Sequence, residues 1–472
     1  MTSAPVVIIG AGPAGLACAS RLLRHDRRIV LIDDNLQPGG QYFRQLPPTY
    51  VEGKKSRLLH ETERARRLAR TLEDPRVLYL AGTTAWACPG PLTVAYAGKT
   101  QTGRVEAEAI VIATGAYDRP FPFPGWTLPG VISAGGSLNL AKGSGLIPGG
   151  RVVVAGNGPL VLVAAATLAA AGAAITHVIE AQPTVRLVSR LLPRSLDAPR
   201  LFRKGLGYRM RLLRSGVRVS SGAMVSQAAG HGKLEAVEIA PLGADGRPAA
   251  KGRQQIEAET LVVGYGLVPS NEFSRLVGCQ MTHVPGLGGW VPARSDTCET
   301  SLSGIYTVGD AAGIGGVELA ILEGMIVADA IAGRNDQRLR RSYARLNRFR
   351  YALAASYETP KRLSSADPDT IICRCEELRL RDLTEAVRSC ATSLGRLKSV
   401  TRLGMGRCQG RNCMVSAAAL CGFDEIERAD ALPRSRPPAR PVRIADLVQD
   451  TSIGPARVPD EAISPISPEL KP

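Results

Sequence analysis

The stretch from Val6 to Asp34, VVIIGAGPAGLACASRLLRHDRRIVLIDD, most narrows what this chain can fold into. Val6 to Ile9 are β-branched and apolar, as in a short buried strand. Gly10, Gly12 and Gly15 complete GxGxxG, Pro13 and Ala14 open a helix with apolar spacing to Leu23, and RIVLIDD reads as a second strand. Gly10 permits a tight turn, Gly12 lets backbone approach a pyrophosphate, and Gly15 lets the helix pack closely on the strand. The helix N-terminus then receives the negative charge. Asp33, 23 residues beyond Gly10, ends the second strand where a carboxylate accepts hydrogen bonds from adenosine ribose hydroxyls. Together these predict an α/β unit that binds a nucleotide.

The pattern returns as GRVVVAGNGPLVLVAAATLAAAGAAITHVIEA, with Gly156, Gly158 and, 24 residues past Gly156, Glu180. Val152 to Ile175 is long and apolar enough to span a bilayer, but GNGP inside it reads as a turn between a buried strand and a buried helix. No transmembrane segment is expected. The third glycine position is Val161, and a β-branched residue there is expected to push the helix outward and to weaken binding of NAD(P).

Three later stretches add to the first unit. PGGQYFR supplies Gly40 and Gln41 behind the ribose acid, AIVIATGAYDRP supplies Thr114 and Gly115, and GIYTVGDAAG supplies Gly309 and Asp310. In this order the set resembles the two-dinucleotide-domain flavoproteins that include glutathione reductase and thioredoxin reductase, over roughly residues 1–335. The resemblance implies a glutathione-reductase-like α/β fold and FAD, with the ATG segment beside the cofactor and Asp310 on its ribityl chain. Disulfide reductases of that family carry a redox cysteine pair, whereas QYFRQLPPTY follows Gly40 here and no CxxC occurs in the chain. A dithiol mechanism is thereby excluded. The five histidines lack metal-ligand spacing and no Ser-His-Asp or paired-carboxylate set stands out, so no catalytic side chain is assigned. Any chemistry falls to the flavin.

Ten cysteines in 472 residues are too few for a disulfide scaffold, and Met1 runs into a strand without a basic leader, so a cytoplasmic setting is expected. The net charge of +17 comes from scattered arginines without a nucleic-acid motif, and no nucleic-acid role is expected. Cys18, Cys88, Cys279, Cys298, Cys390 and Cys421 are isolated and read as small core residues. The remaining four stand apart: Cys373 and Cys375 as CxC in IICRCEE, then, after 32 intervening residues, Cys408 and Cys413 as CxxxxC in MGRCQGRNCM. Four thiolates suit zinc or an iron–sulfur cluster, and zinc sites usually use CxxC. The spacing resembles the bacterioferritin-associated-ferredoxin-like 2Fe-2S module, a small helical domain. Leu380, Leu383 and Val387 have helical spacing, glycines 404, 406 and 410 permit close backbone approach, and Arg374, Arg407 and Arg411 are expected to lower the thiol pKa values.

The expected organisation is an FAD-binding domain at 1–118 and 256–335, an inserted nicotinamide-type domain at 119–255, a basic helical linker at 336–365, the 2Fe-2S module at 366–425 and a Pro/Arg-rich extended tail at 426–472. The whole order resembles the α-type subunits of heteromeric amino-acid and imino-acid dehydrogenases, such as those of opine oxidase, hydrogen cyanide synthase and D-hydroxyproline dehydrogenase. That resemblance implies a D-amino-acid-oxidase-like β subunit that oxidises the C–N bond, with room for FMN between subunits and for a small ferredoxin-like γ subunit. It also implies an external electron acceptor, through which the complex could meet the inner membrane. Some relatives hold ATP in place of FAD. Two other readings stand beside it: an NAD(P)H-dependent ferredoxin or rubredoxin reductase, and a non-enzymatic nucleotide-binding iron–sulfur scaffold or sensor.

Overall fold

The computed structural model describes residues 4–46, 62–99, 101–243, 246–357, 367–423 and 435–448. The strand Val6–Ile9 lies at the centre of a five-stranded parallel sheet, ordered Ile305–Thr307, Ala109–Ile112, Val6–Ile9, Ile29–Ile32, Val77–Leu80. Alternation along these strands separates two cores, because successive side chains point to opposite faces. Val6, Ile8, Ile29, Leu31 and Val111 pack under the helices Pro13–Leu23 and Val317–Ile331. Val7, Ile9, Val30, Ile32, Ile110 and Ile112 pack on an antiparallel sheet built from Thr83–Gly90, Thr93–Gly98 and Thr102–Glu106. Both faces are covered, which explains why the parallel strands are apolar throughout.

The two helices approach closely because a Cβ on Gly324 would stand 2.2 Å from the Ala14 carbonyl oxygen. Their ends are joined by Arg21, whose Nε and Nη2 donate to the two oxygens of Asp329 at 2.7 and 2.9 Å, with His25 Nε2 2.8 Å from Asp329 Oδ1. Burial raises the Asp329 carboxyl pKa, but the bonds from Arg21 and His25 outweigh it and hold the group below the usual carboxylate range. Asp329→Asn is expected to cost about 2 kcal/mol at neutral pH, since Arg21 loses its two-bond carboxylate partner and keeps only Asp336, at 3.3 Å. A depressed folded-state pKa contributes stability that is complete above the unfolded-state value near 4 and is lost as pH falls through the folded-state value. Urea unfolding at stepwise lower pH should therefore show the gap between native protein and variant closing below about pH 4.

The second sheet is also parallel and five-stranded, ordered Arg218–Ser221, Ala174–Glu180, Arg151–Gly156, Thr260–Gly264, Val131–Ser133. The apolar run from Val152 becomes a strand, the helix Pro159–Ala170 and a further strand. Among the described residues no helix is long and apolar enough to cross a membrane. The chain leaves the first unit through Ala116–Asp118 and returns through Leu267–Pro269, and these two short strands pair antiparallel. The boundary expected at 255 therefore falls too early: Thr260–Gly264 pairs with Arg151–Gly156 inside the second sheet.

The basic segment expected as a linker is the helix Gln337–Ser356, capped by Asp336, whose side chain accepts from Arg338 N and Leu339 N. Beyond it, residues 367–423 form a small unit with its own core of Ile372, Leu383, Ala386, Leu394, Leu397 and Leu403. Leu380–Ser389 is helical, as its apolar spacing predicts. Of the tail, residues 435–448 lie against the first unit, with Ala439 N donating to Trp86 O at 2.7 Å and Ala439 buried. The rest of it, 426–434 and 449–472, lies outside the described residues.

Candidate flavin and iron–sulfur sites

The nucleotide residues gather at the carboxyl ends of the parallel strands, where ligands of such sheets bind. Gly10 turns the chain at φ +112°, and its Cβ would stand 2.4 Å from the Ala113 oxygen. A Cβ on Gly15 would lie 1.9 Å from the Gly10 oxygen, while one on Gly12 would meet nothing within 4 Å. Two glycines thus let backbones touch and the third opens onto free space, as a pyrophosphate cradle requires. Pro13 begins the helix, and Ala14 is buried behind it. Asp33 is 5% exposed and accepts from Ala11 N at 2.5 Å and from Asn35 N at 2.7 Å. Burial pushes its carboxyl pKa up against those bonds. Oδ1 also accepts from Asn35 Nδ2 at 2.8 Å, whereas Oδ2, bonded to Ala11 N, keeps a second lone pair for a ribose hydroxyl.

Gly40 rests on the same loop, where its Cβ would be 3.0 Å from Gly12 Cα, and Gln41 is exposed beside it. Thr114 Oγ1 donates to Ser270 O at 2.6 Å, and Gly115 O accepts from Ser270 N at 2.9 Å. A Cβ on Gly115 would meet open space. Gly309 N donates to Glu323 Oε2 at 2.7 Å, and Asp310 Oδ1 accepts from Gly315 N and Gly316 N at 2.9 and 3.1 Å. Sequence patterning does not single out Glu323. It is 1% exposed and holds Arg294 Nη2 at 2.6 Å, so a lone glutamate within the apolar run LAILEGM was the available signal. With open space at Gly12 and Gly115, and with Asp33 and Asp310 each at a turn that follows a strand of the same sheet, these residues fit a flavin dinucleotide.

The second glycine loop differs. Val161 is fully buried without pushing its helix away, because Gly264 lies opposite: a Cβ there would be 3.5 Å from Val161 Cγ2 and 2.9 Å from Ala134 Cβ. The small residue has moved from the helix to the neighbouring strand. Glu180 is buried and forms an ion pair with Arg209. Burial pushes its carboxyl pKa up against that pairing. Asn157 Nδ2 donates to Tyr357 O at 3.0 Å, and the Tyr357 hydroxyl, raised in pKa by burial, feels the charges of Glu180 and Arg209. The end of the helix Gln337–Ser356 is thus seated on the second loop and beside its acid.

The four cysteines do come together. Cys373 and Cys413 are buried, and Cys375 lies exposed in the turn after Cys373. The Cys413 thiol is hydrogen-bonded to Cys373 and Cys408, and Cys408 to Cys375. Among the described residues no group of three or more His, Cys, Asp or Glu side chains is placed to hold a metal ion as it stands. Thiols must shed their protons before a thiolate centre is bound. Hydrogen bonding from Cys413 brings Cys373 down to about 6 and Cys408 down to about 5, burial opposing, with further help from the backbone at Gly404, Glu376 and Cys375 and at Asn412 and Gly410 respectively. Cys413 and Cys375 are shifted up. Gly406 is needed because its Cβ would be 2.2 Å from Cys375 Cβ. Four sulfurs, two of them favoured as thiolates by the Cys413 thiol and by backbone N–H donors, supply the donor set of a four-thiolate centre.

The arginines act differently from the expectation. Arg374 lies over the Trp126 ring at 5.5 Å, Arg407 is exposed, and Arg411 Nε is 2.9 Å from Glu272 Oε1. They face outward and fasten the unit, while N–H and S–H groups dominate the thiol shifts. Trp126 Nε1 also donates to Ile371 O at 2.6 Å, and Ser416 Oγ to Pro120 O at 2.9 Å. Of the six isolated cysteines, Cys18, Cys279 and Cys298 are buried, whereas Cys390 is exposed at a helix end.

Fold and cleft define a two-dinucleotide-domain flavoprotein, and residues 4–325 match the family model described as pyridine nucleotide-disulphide oxidoreductase. The chain belongs to that family and is an FAD-dependent oxidoreductase. Within it, the chain is 32% identical to an opine oxidase subunit of Agrobacterium tumefaciens (strain Ach5), over 94% of this chain and 91% of the relative. It is 33% identical to the hydrogen cyanide synthase subunit HcnB of Pseudomonas aeruginosa, over 86% and 90%. The crystal structure of L-proline dehydrogenase from P. horikoshii shares the fold, with TM-score 0.67 at 20% identity, covering 94% of this chain and 79% of that one.

Proposed function

We propose that this chain is the electron-relay component of a heteromeric amino-acid or imino-acid dehydrogenase whose substrate is an opine, hydroxyproline or a similar secondary amine. The cleft of Gly10, Gly12, Pro13, Ala14, Gly15, Asp33, Gly40, Gln41, Thr114, Gly115, Gly309 and Asp310 holds FAD, and Cys373, Cys375, Cys408 and Cys413 hold a 2Fe-2S cluster. A bound flavin accepts two electrons and can release them singly to a one-electron centre. The amine is oxidised on a D-amino-acid-oxidase-like β subunit, and the electrons leave to an external acceptor in the cytoplasm or at the inner membrane.

The observation that carries this reading is the docking of the four-cysteine unit across both domains, on Trp126 and Pro120 of the inserted domain and on Glu272 of the flavin-binding domain. The reading of an NAD(P)H-dependent reductase loses support from the second loop, where Arg209 and Tyr357 already engage the acid that a nicotinamide dinucleotide's ribose would need. An anaerobic titration of the purified chain with NADH and NADPH tests it. Neither is expected to bleach the flavin, while dithionite should bleach it and bring up a reduced-cluster resonance signal; rapid bleaching by either nucleotide would make the chain a reductase. Purification from the native host should also bring a flavoprotein partner, and a solitary chain that oxidises an amino acid unaided would end its assignment to a heteromeric complex.

A further inference from the structure

We propose that Glu272 is a positioning residue that ties the wall of the flavin cleft to the four-cysteine site through Arg411. The proposal rests on the reading above, that both centres reside in this chain. Thr114 and Gly115, at the cleft, are both bonded to Ser270, through its carbonyl at 2.6 Å and its amide at 2.9 Å. Ser270 Oγ donates to Glu272 Oε2 at 3.0 Å. Glu272 Oε1 stands 2.9 Å from Arg411 Nε, an ion pair approached off the N–H axis. Arg411 lies between Cys408 and Cys413 in sequence, and its Nη1 donates to Cys408 O at 3.2 Å. Five residues thus connect the cleft to the backbone of a cluster ligand.

The surroundings make Glu272 more than a surface anchor. Its side chain is 17% exposed and that of Arg411 is 15% exposed, so solvent screens the pair less than an exposed one. Arg275 also feels the charge of Glu272, so the one carboxylate faces two guanidiniums, those of Arg411 and Arg275. The tail crosses the same place: Ser435 Oγ donates to Glu272 O at 3.1 Å and Arg411 Nη2 to Ala439 O at 3.0 Å. Arg440 reaches Ser270 Oγ at 3.4 Å and Asp34 Oδ2 at 3.2 Å, next to the ribose acid. Apart from a contact with Gln409, the bonds that Arg411 makes outside the cysteine loop run to Glu272 and to this tail.

If Glu272 sets the charge that the cluster experiences through Arg411, neutralising either partner moves the cluster's midpoint potential, in opposite directions. Glu272→Gln leaves the guanidiniums uncompensated, which favours the reduced, more negative cluster. Arg411→Gln does the reverse. At an effective dielectric of about 20, one unit charge roughly 10 Å away moves a one-electron equilibrium on the order of tenfold, the size expected of each change. The test is a redox titration of the holo-chain read by paramagnetic resonance, with iron and flavin content measured for each variant and Glu272→Asp as the charge-keeping control. Opposite shifts, with Glu272→Asp close to the native value, support the tie. Potentials within about twofold of native in both variants, or shifts of one sign in both, overturn it. A Glu272→Gln chain that loses its iron while Glu272→Asp retains both iron and the native potential also supports it. A native holo-chain without any cluster signal overturns the reading beneath the proposal as well, so the two failures are distinguishable.

Discussion

Replacing Cys408 by serine should bring the iron content of the purified chain to background and leave flavin bound at its native stoichiometry. Cys408, like Cys413, meets two other sulfurs, in its case Cys413 and Cys375, and its thiol is brought down to about 5. It is therefore already favoured as the anion that a metal centre requires. A serine hydroxyl has no comparable anion near neutral pH, so the variant removes one of the four proposed ligands. Flavin should survive because the unit at 367–423 has a core separate from the cores on either face of the first sheet. Iron analysis and the visible spectrum of one preparation decide it. Loss of flavin in step with iron would show that the two units fold as one cooperative body, joined more strongly than Trp126, Ser416 and Arg411 suggest.

Gly15→Val should abolish accumulation of folded, flavin-bound chain, although the equivalent valine is native in the second unit. A Cβ at Gly15 would be 1.9 Å from the Gly10 carbonyl oxygen, and backbone cannot yield as a flexible side chain can. The clash places the substitution among the severe ones, above about 4–5 kcal/mol. Val161 causes no such collision because Gly264 provides the space on the adjoining strand. The converse substitution, Gly264→Ala, should lower thermal stability by about 1–3 kcal/mol, as overpacking does, because its methyl would meet Ala134 Cβ at 2.9 Å and Val161 Cγ2 at 3.5 Å. Thermal unfolding and flavin content of the two variants check both expectations; a stable, yellow Gly15→Val protein would falsify this account of the first loop.

Much of this architecture is legible in the order of residues. Glycine loops, strand-ending acids and the spacing of four cysteines are local patterns, and local geometry demands those residue types. The helix Gln337–Ser356 and the strand-turn-helix within the apolar run from Val152 follow from the same rules. What was hidden depends on partners far apart in the chain. Nothing in the neighbourhood of Glu272 announces Arg411, and Tyr357 gives no local sign that it will settle beside Glu180. The early boundary at 255 has a similar cause: Thr260–Gly264 is an apolar strand like those of the first sheet, and only pairing with Arg151–Gly156 shows which sheet it joins. Val161 reads as a disturbance in the sequence because its compensating glycine lies more than 100 residues away.

The crossing of Arg440 to Asp34 sets a limit on the order of biosynthesis. The cleft opens with the first strands to leave the ribosome, yet its rim is made by Ser270, by the turn at Asp310 and by a tail segment that emerges after all of them. A nascent chain can form the first glycine loop early, but the contact of Arg440 with Asp34 cannot form until residue 440 has been released. The last tie beside Asp33 is therefore made after every strand of the sheet that carries it has been synthesised.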